Sequence, residues 1–152
     1  RRTAWRRGSR LVTEGGGQPL RPDSLSRGGI VTVFPEGLEG PTEDAATVVI
    51  SVDPAQLGEG TNADWVVDGN VAYSKICTHV GCPVGLCRES EHSLLCPCHQ
   101  STFDVLDGAR VVFGPAPRPL PQLPLGVDDE GYLIALGDYP QPVGPSFWNR
   151  GR

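Results

Sequence analysis

Two short stretches concentrate the reactive side chains of this chain: Cys77-Thr78-His79-Val80-Gly81-Cys82 and Cys96-Pro97-Cys98-His99-Gln100-Ser101. Each offers one cysteine and one histidine at close spacing, Cys77 with His79 and Cys96 with His99, and sixteen residues separate His79 from Cys96. Two thiolates and two imidazoles make a metal-binding set. They can hold zinc tetrahedrally, or ligate the two irons of a cluster unequally. Cys82 and Cys98 occupy equivalent places on the two stretches. In a simple zinc site they would compete as ligands; joined as a disulfide they would tie the two loops together. Spacing alone leaves both options open. The fifth cysteine, Cys87, and the third histidine, His92, lie between the motifs in a polar segment and read as side chains outside the site.

The elements that must position these residues are short strands. The chain has 152 residues, enough for one domain with its own core. Its 20 Gly and 15 Pro are about twice the average usage and leave little room for long helices, so a loop-rich all-β fold is expected. Ile30-Val31-Thr32-Val33-Phe34 and Thr47–Val52 read as strands, and Asp53-Pro54 as the cap and first position of a single helical turn. Trp65–Val67 and Val71–Tyr73 form a hairpin pattern around Asp68-Gly69-Asn70. After the second motif, strands are expected around Phe103-Asp104 and Arg110–Phe113, joined through Asp107-Gly108, with a last strand over Tyr132–Leu136. Trp65, Tyr73, Phe103, Phe113 and Tyr132 are expected in the core. Residues 1–29 have few apolar positions and read as an extended arm, while Phe147 and Trp148 are expected to dock the tail.

Charge excludes one class of partner. Five of the 13 basic residues fall within the first ten positions, so all 18 acidic residues share the remainder with only eight basic ones. An acidic body argues against nucleic acid. The basic stub suits anionic lipid or a partner subunit as well as a solvated end. No stretch reaches the ~18 apolar residues of a membrane span. The chain opens on Arg1-Arg2 without Met, which predicts a piece or processed product of something longer.

The motifs CTHVGC and CPCHQS, followed by Gly114-Pro115-Ala116-Pro117-Arg118-Pro119-Leu120-Pro121, resemble in order and content the Rieske iron–sulfur proteins of cytochrome bc-type quinol oxidoreductase complexes. The resemblance runs from about Ile30 to Trp148, and the ending VGPSFWNR resembles the actinobacterial menaquinol–cytochrome c reductase members. It implies a Rieske-type β domain over 30–152, with base sheets and an inserted cluster-binding subdomain over about 74–121. It further implies a [2Fe–2S] cluster, with Cys77 and Cys96 on the buried iron and His79 and His99 on the outer one. Cys82 and Cys98 would form a disulfide between the loops. Gly114, Pro115, Ala116 and Pro117 would begin the loop that shields the cluster's third side.

The same resemblance assigns function. Imidazoles in place of two thiolates make the cluster less negative and raise its potential. Ser101 would donate a hydrogen bond to a cluster sulfur and raise the potential further, as would a tyrosine two residues later; Phe103 stands there and cannot donate. A lower potential, matched to menaquinol, is therefore expected. His79 or His99 would take the quinol proton as the cluster takes the electron, which then passes to a c-type cytochrome. The implied partners are a cytochrome b subunit and a c-type cytochrome subunit. The implied location is the extracytoplasmic side of the cell membrane, through an anchor preceding Arg1. Competing readings are the Rieske subunit of an arsenite oxidase-like enzyme, a free Rieske ferredoxin, and, from another class, a zinc-stabilised binding module.

Overall fold

The computed structural model describes residues 3–14, 17–37, 45–78, 84, 87–88, 93–96, 101–116, 118–141 and 143–144. Among the described residues ten short strands run in chain order: β1 (Leu11–Thr13), β2 (Ile30–Pro35), β3 (Thr47–Ser51), β4 (Asn70–Ser74), β5 (Cys87–Arg88), β6 (Ser93–Leu95), β7 (Thr102–Asp104), β8 (Arg110–Phe113), β9 (Leu125–Val127) and β10 (Leu133–Ala135). They form three antiparallel sheets, ordered β1-β2-β3-β4, β5-β6-β7-β8 and β9-β10. The only helices among the described residues are single 3-10 turns, as the Gly and Pro content requires.

The run Thr47–Ser51 is buried at every position because β3, with its neighbour β4, is the wall between two cores. Successive strand residues point to opposite faces. Val49 and its partner Ala72 enter one core with Trp5, Leu11, Val33, Leu123 and Leu133. Val48 and Ile50, opposite Tyr73 and Val71, enter the other with Cys77, Leu94, Cys96 and Phe103. The second core is thus built directly under the two cysteine motifs. Tyr73 joins wall to roof: its hydroxyl donates to the Val105 carbonyl (3.0 Å) and meets Thr61 Oγ1 (3.3 Å), and burial pushes its phenol well above its ordinary pKa.

The expected strands β2, β3, β7, β8 and β10 are present within a residue or two. The helical turn at Pro54–Gln56 is capped by Asp53, whose Oδ1 accepts the Ala55 N–H at 3.0 Å. The expected hairpin around Asp68-Gly69 shrinks to its turn. Both residues have positive φ (48° and 80°), and Val67 and Asn70 exchange backbone hydrogen bonds, but Trp65 belongs to a 3-10 turn capped by Asn62. β4 finds its real partner in β3.

The segment read as an extended arm folds back on the body over its described residues. Trp5 is fully buried, and its indole N–H donates to the Ala45 carbonyl (2.9 Å) and Thr47 Oγ1 (3.1 Å). β1 extends the first sheet by pairing with β2. Arg10 binds Asp128 (2.8 Å) and Glu130 (3.1 Å), and the guanidinium groups of Arg10 and Arg21 both lie against the Tyr132 ring, 4.4 and 4.2 Å from its centre. Sparse apolar residues, Trp5, Leu11 and Leu20, are enough because each fills a place in a core supplied by other strands. Phe113 departs from expectation in the opposite sense. It is 65% exposed at the end of an edge strand. Phe147 and Trp148 lie outside the described residues.

Candidate metal centre

Each cysteine motif begins where a strand ends. Cys77 follows β4 after Lys75 and Ile76, and Cys96 follows β6 directly. The neck of each loop is closed by a backbone hydrogen bond. The Val84 N–H donates to the Lys75 carbonyl (2.6 Å) around the first motif, and the Cys96 N–H donates to the Ser101 carbonyl (2.8 Å) around the second. Both thiols are buried, at 0% and 1% exposure, in the same apolar cluster. His79, Cys82, Cys98 and His99 lie outside the described residues, as does Pro117.

The proline segment reaches both motifs. From the first, Thr78 Oγ1 donates to the Arg118 carbonyl at 2.6 Å. From the second, Ser101 Oγ accepts the Ala116 N–H at 3.1 Å. Gly114 is required at this junction: its φ is +93°, and a Cβ there would stand 2.6 Å from Ser101 Cα. Farther along, the Pro121 carbonyl accepts the Ser74 N–H (2.9 Å), which returns the segment to β4 just before Cys77. Gly114 and Pro115 are exposed, while Ala116 and Leu120 are buried.

Ser101 therefore has three jobs. Its carbonyl closes the second motif, its Cα packs against Gly114, and its hydroxyl oxygen accepts from Ala116. It is fully buried. Because the oxygen already accepts from Ala116, the hydroxyl still has its own proton to donate. Phe103, two residues on, is fully buried and pairs with Leu94 of β6. Thr78 and Arg118 were not singled out from the sequence for any role. Both sit inside motifs that were, at positions flanked by more conspicuous residues. The Arg118 guanidinium, whose pKa is lowered by burial, donates through Nη2 to the Gly144 carbonyl.

Two buried thiols in one core of a small antiparallel β domain offer a pair of soft sulfur donors suited to a metal centre. The donor chemistry suits iron–sulfur ligation: thiolates in an apolar core are stabilised when a metal takes their charge. Residues 43–124 match the family described as Rieske [2Fe–2S] domain. The chain is 51% identical to the cytochrome bc1 complex Rieske iron–sulfur subunit of Streptomyces lividans, over 99% of this chain and 93% of that protein. It is equally identical to the subunit of the same name from Streptomyces coelicolor, over 99% of this chain but 45% of that protein. Among solved structures, the soluble domain of Rieske protein II from Sulfolobus acidocaldarius superimposes with a TM-score of 0.54 at 25% identity, over 76% of this chain and 72% of that one. The chain belongs to the Rieske [2Fe–2S] family, and its cofactor is the Rieske [2Fe–2S] cluster. Membership sets aside the zinc-module alternative.

Proposed function

We propose that this chain is the electron-carrying domain of the Rieske subunit of a cytochrome bc-type complex, taking an electron and a proton from menaquinol and passing the electron to a c-type cytochrome. The observation that carries the reading is the junction of the two cysteine loops with the proline segment, in a chain 51% identical to bc1 Rieske subunits over nearly its whole length. When bound, the cluster supplies a one-electron couple. Cys77 and Cys96 would hold it, with His79 and His99 completing the ligand set. The second ring nitrogen of His79 or His99 would accept the quinol proton, since adding negative charge beside an imidazole raises its basicity. Ser101 would donate its hydroxyl proton to a cluster sulfur, with its oxygen held by the Ala116 N–H.

Cys82 and Cys98 join as a disulfide that keeps the loops from opening, which fits an oxidising, extracytoplasmic location. The cluster-binding subdomain spans about 74–121, and the domain that carries it begins before residue 30, since β1, Trp5, Leu11 and Leu20 belong to its sheet and core. Partners are the cytochrome b and c-type cytochrome subunits, at a membrane. Among the described residues no helix is long and apolar enough to cross one. An EPR spectrum of the dithionite-reduced protein tests the ligand set: a signal with the low average g of mixed His/Cys [2Fe–2S] centres is expected, and silence would end the reading. Reduction by menaquinol in membranes lacking this chain and resupplied with it separates the bc-type role from an arsenite oxidase subunit or a ferredoxin.

A further inference from the structure

We propose that Arg118 is a positioning residue for the cluster, a latch that ties the proline segment to the C-terminal segment and thereby sets the orientation of the Ser101 hydroxyl. The inference rests on the reading that Ser101 donates to a cluster sulfur, and goes beyond it by naming what aims that donor.

Two sets of hydrogen bonds meet on the proline segment, at Arg118 and at Ala116. Gly144, buried near the C-terminus, offers its carbonyl to Arg118 Nη2. The neighbouring Val143 is 3% exposed and packs in the first core, so the anchor belongs to the rigid body of the domain. The Arg118 carbonyl, in turn, accepts Thr78 Oγ1 between the positions of the first motif's two ligands. One residue therefore fixes the proline segment from both sides, by its side chain to the tail and by its main chain to the first loop. Two residues before it, the Ala116 N–H reaches Ser101 Oγ. A hydroxyl oxygen that accepts one hydrogen bond has its own proton confined to the remaining directions. The Ala116 contact thus restricts the Ser101 rotor, and the position of Ala116 depends on where Arg118 holds the segment.

Burial of Ala116 and Leu120 in the second core, the Leu120 N–H on the Ala109 carbonyl (3.4 Å) and the Pro121 carbonyl under the Ser74 N–H (2.9 Å) hold parts of that segment, and Arg118 adds the tie to the tail. The segment contains four prolines between Pro115 and Pro121, each without an N–H, so it cannot be stitched into a sheet. Among its described residues Pro115 and Pro119 are exposed, so packing does not anchor them either. A long guanidinium reaching a carbonyl on a separate, buried strand of chain does what backbone pairing cannot. The arrangement also links the cluster to a tail remote in sequence, 26 residues beyond Arg118.

The test is a potentiometric titration of the cluster-loaded protein, followed by EPR, in five forms. Ser101→Ala should lower the midpoint potential. Arg118→Met should lower it by a smaller shift in the same direction and broaden the EPR lines, as a mixture of Ser101 rotamers would. Arg118→Lys, which keeps a donor, should return toward the parent value. In the Ser101→Ala background Arg118→Met should shift nothing further. If Arg118→Met does not assemble a cluster, Arg118→Gln, too short to span the same gap, carries the identical expectation. An unchanged potential in Arg118→Met or Arg118→Gln, or an equal further shift in the Ser101→Ala background, would overturn the latch. Loss of the mixed-ligand signal from the parent protein would instead overturn the ligand assignment on which it stands.

Discussion

Replacing Phe103 with tyrosine puts one oxygen into a place the structure makes unforgiving. The phenyl ring is fully buried in the core that holds Cys77 and Cys96, opposite Leu94 on β6 and two residues past Ser101. No water can reach a new hydroxyl there, so it must find a partner inside the protein. If the oxygen reaches a ligand sulfur, it forms a hydrogen bond to an acceptor that becomes more negative on reduction. A bond to a charged acceptor is worth about 1.5–3 kcal/mol, and if roughly half of that is gained on reduction, the reduced state is favoured by ~0.75–1.5 kcal/mol. For one electron a tenfold change in equilibrium is 59 mV, so the potential should rise by roughly 30–65 mV. If the oxygen does not reach sulfur, it is an unsatisfied buried hydroxyl costing about 1–3 kcal/mol, and melting should fall by roughly 2–4 °C per kcal/mol. Redox titration and thermal melting of the same sample distinguish the two. A raised potential with little loss of melting temperature is expected. An unchanged potential with a lowered melting temperature would refute the idea that Phe103 faces the cluster.

Three further outcomes follow from the described contacts. Cys77→Ala and Cys96→Ala should each abolish the EPR signal and visible absorbance, since each removes a buried thiolate; a variant that kept the parent spectrum would remove that residue from the ligand set. Trp5→Ala should cost ~3–5 kcal/mol of folding free energy, read in urea unfolding, because it empties a fully buried site. An unchanged midpoint would mean that the N-terminal segment is not docked in solution. The Asp128 carboxyl is held below its ordinary range, first by the Tyr132 N–H and also by Arg10 and the Glu130 N–H, with burial opposing. A depressed folded-state pKa contributes stability above the unfolded carboxylate value, about 3.9, and loses it as pH falls through the folded value. Asp128→Asn should therefore be less stable than the parent at neutral pH, with the difference closing below about pH 4; a difference independent of pH would refute the linkage.

The cysteine and histidine spacing was readable without coordinates because ligation is a matter of residue type and loop length, both visible in one dimension. Strands with strong local character were readable for the same reason. β3 announces itself as a β-branched run and β8 follows an Asp-Gly turn, so their own residues determine them. Weak local signals hid the rest. β1, β5, β6 and β9 are two or three residues long, and pairing to a neighbour, not propensity, makes them strands.

The sequence by itself therefore determined which side chains could hold the cluster and that an all-β, loop-rich body would carry them. Tertiary structure decided how they are held. It buried Cys77 and Cys96 in a core separated from the base by β3 and β4. It turned the expected arm into a docked strand with Trp5 beneath it, and left Phe113 in solvent. It also brought Thr78 and Gly144 onto Arg118, and Ser101 onto Ala116, by hydrogen bonds to one proline segment. Those partners lie 15 to 40 positions apart, and a prolyl segment has no periodicity that could announce them. Long-range hydrogen bonds of this kind depend on where folded strands deliver their ends, which no local pattern encodes.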